Sequence, residues 1–146
     1  MKKVILIYAS ATGKTGAIAD AIISGFEQTN VEVITKDPFN TDPAELLNYD
    51  GILIGTYTWE GVIPDEFMDF YEELDYHDLT GKKAAIFGSG DSYYTDTYGA
   101  ALELFEDKFM EVGAKIVLPK FLIELYPDLS EIEEAKKFAV QFTTLL

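Results

Sequence analysis

Residues 5–22, "ILIYASATGKTGAIADAI", hold the reading that decides the fold. The apolar run Ile5-Leu6-Ile7-Tyr8 ends in a small, hydroxyl-rich turn, Ser10-Ala11-Thr12-Gly13-Lys14-Thr15. A helical pattern follows, with Ile18, Ala21, Ile22 and Phe26 on one face. A strand therefore ends in a turn that opens a helix. Gly13-Lys14-Thr15 raises the question of a nucleoside triphosphate, but a phosphate-binding loop of that class needs Gly-x-x-x-x-Gly-Lys-Thr. The first glycine would fall at residue 8, which is Tyr8. No apolar strand ends directly in the magnesium-binding aspartate that such a site also requires. A phosphotransfer receiver would carry acidic residues at the end of the first strand, where Tyr8, Ala9 and Ser10 stand. The three hydroxyls around Gly13 point to another ligand.

Outward from this stretch, the apolar runs are short and β-branched: "KVILIY", "VEVIT", "GILIG", "KKAAIFG" and "AKIVLPKFLIE". Runs that are apolar at nearly every position fit strands buried on both faces. Helical patterns lie between them. Phe67, Phe70, Tyr71 and Leu74 form one stripe, with Pro64 suited to a first helical position. Leu102, Phe105, Phe109 and Val112 form another, with Gly113 suited to the C′ position. Residues 42–50 read as a short helix, and Ser130 with Glu133 reads as the capping box of the last helix. Strand and helix alternate five times, which predicts an α/β fold with a parallel sheet and helices on both faces. Ligands of such sheets sit beyond the C-terminal strand ends, near the switch point.

With 146 residues, the chain is expected to form one domain, 1–146, with one core. Lys+Arg is 11 and Asp+Glu is 26, a net charge of −15, which repels phosphate backbones and anionic membranes. Nucleic acid and membrane are not expected partners; a basic protein surface is. There is no cysteine, which excludes disulfides, thiol catalysis and cysteine-held metal clusters. "MKKVILIYAS" is too short in its apolar core for a signal peptide, and no run approaches the roughly 18 apolar residues of a membrane span. His77, between a helix and a strand, is expected to be a surface or packing residue.

Three segments concentrate unusual residues after strands one, three and four: the turn 10–15, "GTYTWEGVIPD" at 55–65, and "GSGDSYYTDTYGA" at 88–100. The only tryptophan, Trp59, is in the second, and Tyr93, Tyr94 and Tyr98 are in the third. Together, in this order and at this spacing, they resemble the three flavin loops of flavodoxins, over the whole chain. Ser-x-Thr-Gly-x-Thr is similar to the family's FMN phosphate loop, Gly-Thr-x-Thr-Trp with Pro-Asp to its second loop, and Gly88 to Tyr94 to its third. The length matches the short-chain branch.

The resemblance implies a flavodoxin-like, doubly wound, five-stranded parallel sheet of order 2-1-3-4-5. It implies FMN bound by Ser10, Ala11, Thr12, Gly13, Lys14, Thr15, Thr56, Tyr57, Thr58, Trp59, Glu60, Gly61, Ser89, Gly90, Asp91, Tyr94 and Tyr98. The physics agrees: a phosphate at a helix start meets free N–H groups and the positive dipole end, Ser10, Thr12 and Thr15 add hydroxyl donors, and Gly13 lets the backbone come close. Lys14 either contributes charge or faces solvent. Residues 10–15 thus suit a monophosphate, with Thr56 and Thr58 reaching it and Trp59 and Tyr94 flanking the ring. No residue reads as a substrate-directed acid or base, so the chemistry is expected to be the cofactor's, and no metal is called for.

By the same resemblance, the flavin cycles between semiquinone and hydroquinone as a low-potential one-electron carrier, not an enzyme. Nearby carboxylates, Glu60, Asp65, Asp91 and Asp96, would lower the potential. The expected partners are a basic flavodoxin/ferredoxin-NADP reductase as donor and redox acceptor enzymes, with the chain a cytoplasmic monomer. Alternatives are a flavin-binding activator or regulatory module dedicated to one enzyme, and an NAD(P)H-dependent flavin enzyme, for which 146 residues leave little room. One departure stands out: glycine usually follows the loop aromatic, and here Glu60 does, with Gly61 next. If these two are the central residues of the turn, that order favours type II, with its carbonyl towards the flavin.

Overall fold

A computed structural model of the chain describes residues 1–10, 13–58, 62–90 and 99–146. Strand β1 (Lys3–Tyr8) leads into helix α1 (Lys14–Phe26), then β2 (Glu32–Lys36), β3 (Gly51–Tyr57), α2 (Asp65–Glu73), β4 (Lys83–Gly90), α3 (Ala100–Glu111), β5 (Lys115–Ile116), β6 (Phe121–Glu124) and α4 (Leu129–Thr144). The strand order is β2-β1-β3-β4-β5, with β6 also paired to β4, and every pairing is parallel. The order reverses between β1 and β3, as expected from the resemblance.

The continuous apolar runs are buried for the reason their composition suggests. Val4 to Ile7, Ile52 to Ile54 and Ala84 to Phe87 have no exposed surface. Successive side chains point to opposite faces. Ile5, Ile7, Ile52, Ile54 and Ile86 pack with Phe67, Phe70, Phe105 and Phe109 of α2 and α3. Val4, Leu6, Leu53, Ala85 and Phe87 pack with Ile18, Ile22, Phe26, Phe138 and Phe142 of α1 and α4. The sheet thus carries a helix pair on each face, and the stripes predicted on α1, α2 and α3 are the ones that meet it. Tyr71 and Val112, at the margins of their stripes, are partly buried.

The structure corrects three local readings. The run 114–124 is not one strand: residues 117–120 stand opposite only Ala85 and Ile86 of β4, dividing the fifth strand into β5 and β6. Pro119 lies in that interruption, where a residue without an N–H costs no ladder bond. The capping box of α4 is Asp128 with Glu131, not Ser130 with Glu133. The Asp128 carboxylate accepts from the Glu131 N–H at 2.8 Å, and Glu131 Oε1 accepts from the Asp128 N–H at 3.1 Å. Both pairs satisfy the same spacing, but aspartate caps as well as serine and adds its charge at the positive helix end, a contribution of about 1 kcal/mol. Pro64 is the N-cap of α2 rather than its first residue. The short helix expected in residues 42–50 is present as a 3-10 helix, Pro43–Asn48, capped by Asp42.

Candidate functional site

The register brings the strand ends together. Tyr8 lies beside Gly55, Thr56 beside Gly88, Tyr57 beside Ser89, and Gly90 beside Glu124. The segments after β1, β3, β4 and β6 therefore leave from one edge of the sheet.

In the first of these, Gly13 is the N-cap of α1 with φ 85°, a left-handed conformation that glycine adopts without penalty, and no side chain caps it. Among the described residues, a Cβ at Gly13 would meet the Tyr126 hydroxyl at 3.8 Å and nothing closer. Ser10 Oγ accepts the Gly16 N–H at 3.1 Å. A hydroxyl that accepts a backbone N–H keeps its own proton to donate elsewhere. Thr15 is fully buried, and its hydroxyl lies 2.9 Å from Ser89 Oγ, which ties the turn to the end of β4. The Lys14 ammonium sits 5.9 Å from the centre of the Tyr126 ring.

At the end of β3, Thr56 is fully buried and its hydroxyl donates to the Tyr57 carbonyl at 2.8 Å. Thr58 Oγ1 accepts the Ala101 N–H at 3.1 Å, capping the first turn of α3 from across the site. Like Ser10, it retains a proton to donate. The Tyr57 phenol turns to α2, 2.7 Å from both carboxylate oxygens of Glu66. Burial first, and then the bond to the Glu66 carboxylate, push the phenol well above its usual range. Ser89 is buried and Gly90 half-buried at the end of β4.

Of the residues expected at the site, Ser10, Gly13, Lys14, Thr15, Thr56, Tyr57, Thr58, Ser89 and Gly90 are thus placed along one edge. Ala11, Thr12, Trp59, Glu60, Gly61, Asp91, Tyr94 and Tyr98 lie outside the described residues, as do Tyr93, Asp96 and the expected Glu60–Gly61 turn. Tyr126 was not anticipated. It follows β6 in "ELYPD", after Leu125, whose φ of 60° is positive and whose N–H donates to the Gly90 carbonyl at 2.9 Å. Its signal was available: an aromatic residue just past a strand end, like Trp59. Among the described residues, no cluster of His, Cys, Asp or Glu could hold a metal ion.

The flavodoxin family model matches residues 6–138. The chain belongs to the flavodoxin family. It is 41% identical over 144 residues to "Probable flavodoxin 2" of Bacillus subtilis, an alignment covering 97% of this chain and 95% of that one. It is 35% identical over 136 residues to the flavodoxin of Maridesulfovibrio salexigens, covering 90% and 92%. The crystal structure of oxidised flavodoxin 1 from Bacillus cereus superposes with a TM-score of 0.95 at 40% identity, covering 99% of both chains. Flavodoxins bind FMN and carry electrons, and FMN is the cofactor of this family member. The described residues fit a phosphate monoester: a helix start whose N-cap, Gly13, has no side chain to occupy it, and two hydroxyls, Ser10 and Thr58, that accept backbone N–H groups and can donate their own protons. Among the described residues, no helix is long and apolar enough to cross a membrane.

Proposed function

We propose that this flavodoxin is a low-potential, one-electron carrier, receiving electrons from a basic NADPH-dependent flavodoxin or ferredoxin reductase and passing them to acceptor enzymes. The bound flavin supplies the redox chemistry; the protein holds, shields and tunes it. The arrangement at the start of α1 supports this reading: Gly13 has no side chain to cap the helix, and Ser10, which accepts the Gly16 N–H, keeps its own proton for a phosphate oxygen. In this assignment Ser10, Ala11, Thr12, Gly13, Lys14, Thr15, Thr56 and Thr58 surround the phosphate. Tyr57, Trp59, Glu60, Gly61, Ser89, Gly90, Asp91, Tyr94 and Tyr98 serve the ring. Flat stacking of Trp59 and Tyr94 on the ring contributes about 0.5–1.5 kcal/mol each beyond area burial.

The test is a reductive titration of the purified, FMN-loaded protein, followed by its spectrum. Two resolved one-electron steps, the second at low potential, are the expected result. A single two-electron step, or rapid reduction by NADPH with no reductase present, would defeat the proposal.

The net charge of −15 supports a basic partner. Electron exchange with a basic reductase is expected to slow as salt rises through physiological strength, where the Debye length falls to about 8 Å. Stopped-flow rates indifferent to salt would assign the charge to solubility alone.

A further inference from the structure

We infer that the Tyr57–Glu66 hydrogen bond closes the neck of the segment after β3 and so positions that segment for the flavin. This rests on the assignment of residues 56–61 to FMN. Tyr57 is the last residue of β3, and Glu66 is the second of α2. They stand at the two ends of the segment 58–65, and the phenol reaches both Glu66 oxygens at 2.7 Å. Further points fix the same segment. Thr58 Oγ1 accepts the Ala101 N–H, and Ile63, 2% exposed, is seated among Phe67 and Ile54 in the core. What lies between Thr58 and Ile63 therefore spans two anchored ends, and the phenol–carboxylate bond sets how those ends face each other.

The resemblance places Tyr57 among the cofactor-binding residues, and its hydroxyl is committed to Glu66 of α2. Its ring packs against the core cluster beneath α2 and α3, and burial together with the Glu66 carboxylate keeps the phenol protonated as the donor. Tyr57 and Glu66 are accordingly positioning residues. Their loss disturbs the side of the site that meets the ring, while Thr56 stays held by its register with β4, Thr58 by the Ala101 N–H, and the phosphate turn at α1 by Ser10 and Thr15. FMN and riboflavin, which share the ring and differ in the phosphate, should then suffer alike.

The experiment titrates flavin-free protein with FMN and with riboflavin, at a temperature where every variant is folded. Tyr57→Phe keeps the ring and removes the donor; Glu66→Ala removes the acceptor; Glu66→Gln keeps a carbonyl that can still accept. Tyr57→Phe and Glu66→Ala are each expected to weaken both flavins by about tenfold, the scale of one hydrogen bond to a charged group. Glu66→Gln should recover most of that loss, and the double variant Tyr57→Phe/Glu66→Ala should bind no worse than either single one. Parent-like affinity in Tyr57→Phe would overturn the inference. So would losses confined to FMN, a Glu66→Gln variant as weak as Glu66→Ala, or additive losses in the double variant. A parent protein that binds neither flavin would instead defeat the functional assignment.

Discussion

Alanine at Gly88 is expected to lower the melting temperature of the flavin-free protein by up to roughly 10 °C, because overpacking a filled interior costs about 1–3 kcal/mol, with the upper end expected where backbone is met. A Cβ there would lie 1.9 Å from the Thr56 carbonyl oxygen and 2.9 Å from Leu102 Cδ1. The leucine can rotate away. The carbonyl cannot, since it is backbone of β3 in register with Gly88. Relief requires β3 and β4 to part where Thr56, Tyr57 and Ser89 are held side by side. Stability and flavin binding should therefore fall together. A thermal melt gives the first and a flavin fluorescence titration the second. A variant that melts like the parent would show that the strands do not approach this closely.

The second large effect is expected from Thr12→Val combined with Thr15→Val. If both hydroxyls donate to the phosphate dianion, each loss costs about 1–3 kcal/mol, so FMN affinity should fall by roughly thirtyfold to twenty-thousandfold. Riboflavin affinity should change little. Valine nearly matches threonine in shape, which matters at Thr15 because the site is fully buried. Ser89 would lose the Thr15 hydroxyl as partner, a cost paid equally with either ligand. Equal losses for FMN and riboflavin would move the phosphate elsewhere.

The architecture was readable because its signals are repeated. Val4 to Ile7, Ile52 to Ile54 and Ala84 to Phe87 are apolar at consecutive positions, and only a strand covered on both faces explains that three times over. Cap choice was not readable by pattern alone, since Asp128–Glu131 and Ser130–Glu133 obey the same rule and only the helix's actual start separates them. Pro119 marked the break in the fifth strand, yet an apolar run on either side of it concealed the division. At the candidate site, the sequence pointed to segments that leave the strand ends, and the strand register brings those ends to one edge. The sequence did not disclose which way each side chain is committed. Tyr57 turning to Glu66, and Thr58 capping α3, depend on elements far along the chain. Tyr126 lies outside the three motif-bearing segments, and only the pairing of β6 with β4 brings it to the same edge.

The contacts that build this edge join distant parts of the chain: Thr15 to Ser89, 74 residues apart, and Thr58 to Ala101, 43 apart. No short stretch can assemble them alone, and a disordered chain offers the cofactor no comparable cradle. A ligand that recognises only the folded form adds RT ln(1 + [L]/Kd) to its stability, about 2.7 kcal/mol at a hundredfold excess over Kd. The supply of FMN thereby governs how long each molecule survives proteolysis as well as whether it can carry an electron. Empty copies open more often than loaded ones, and a cell short of flavin would clear the carriers it cannot use.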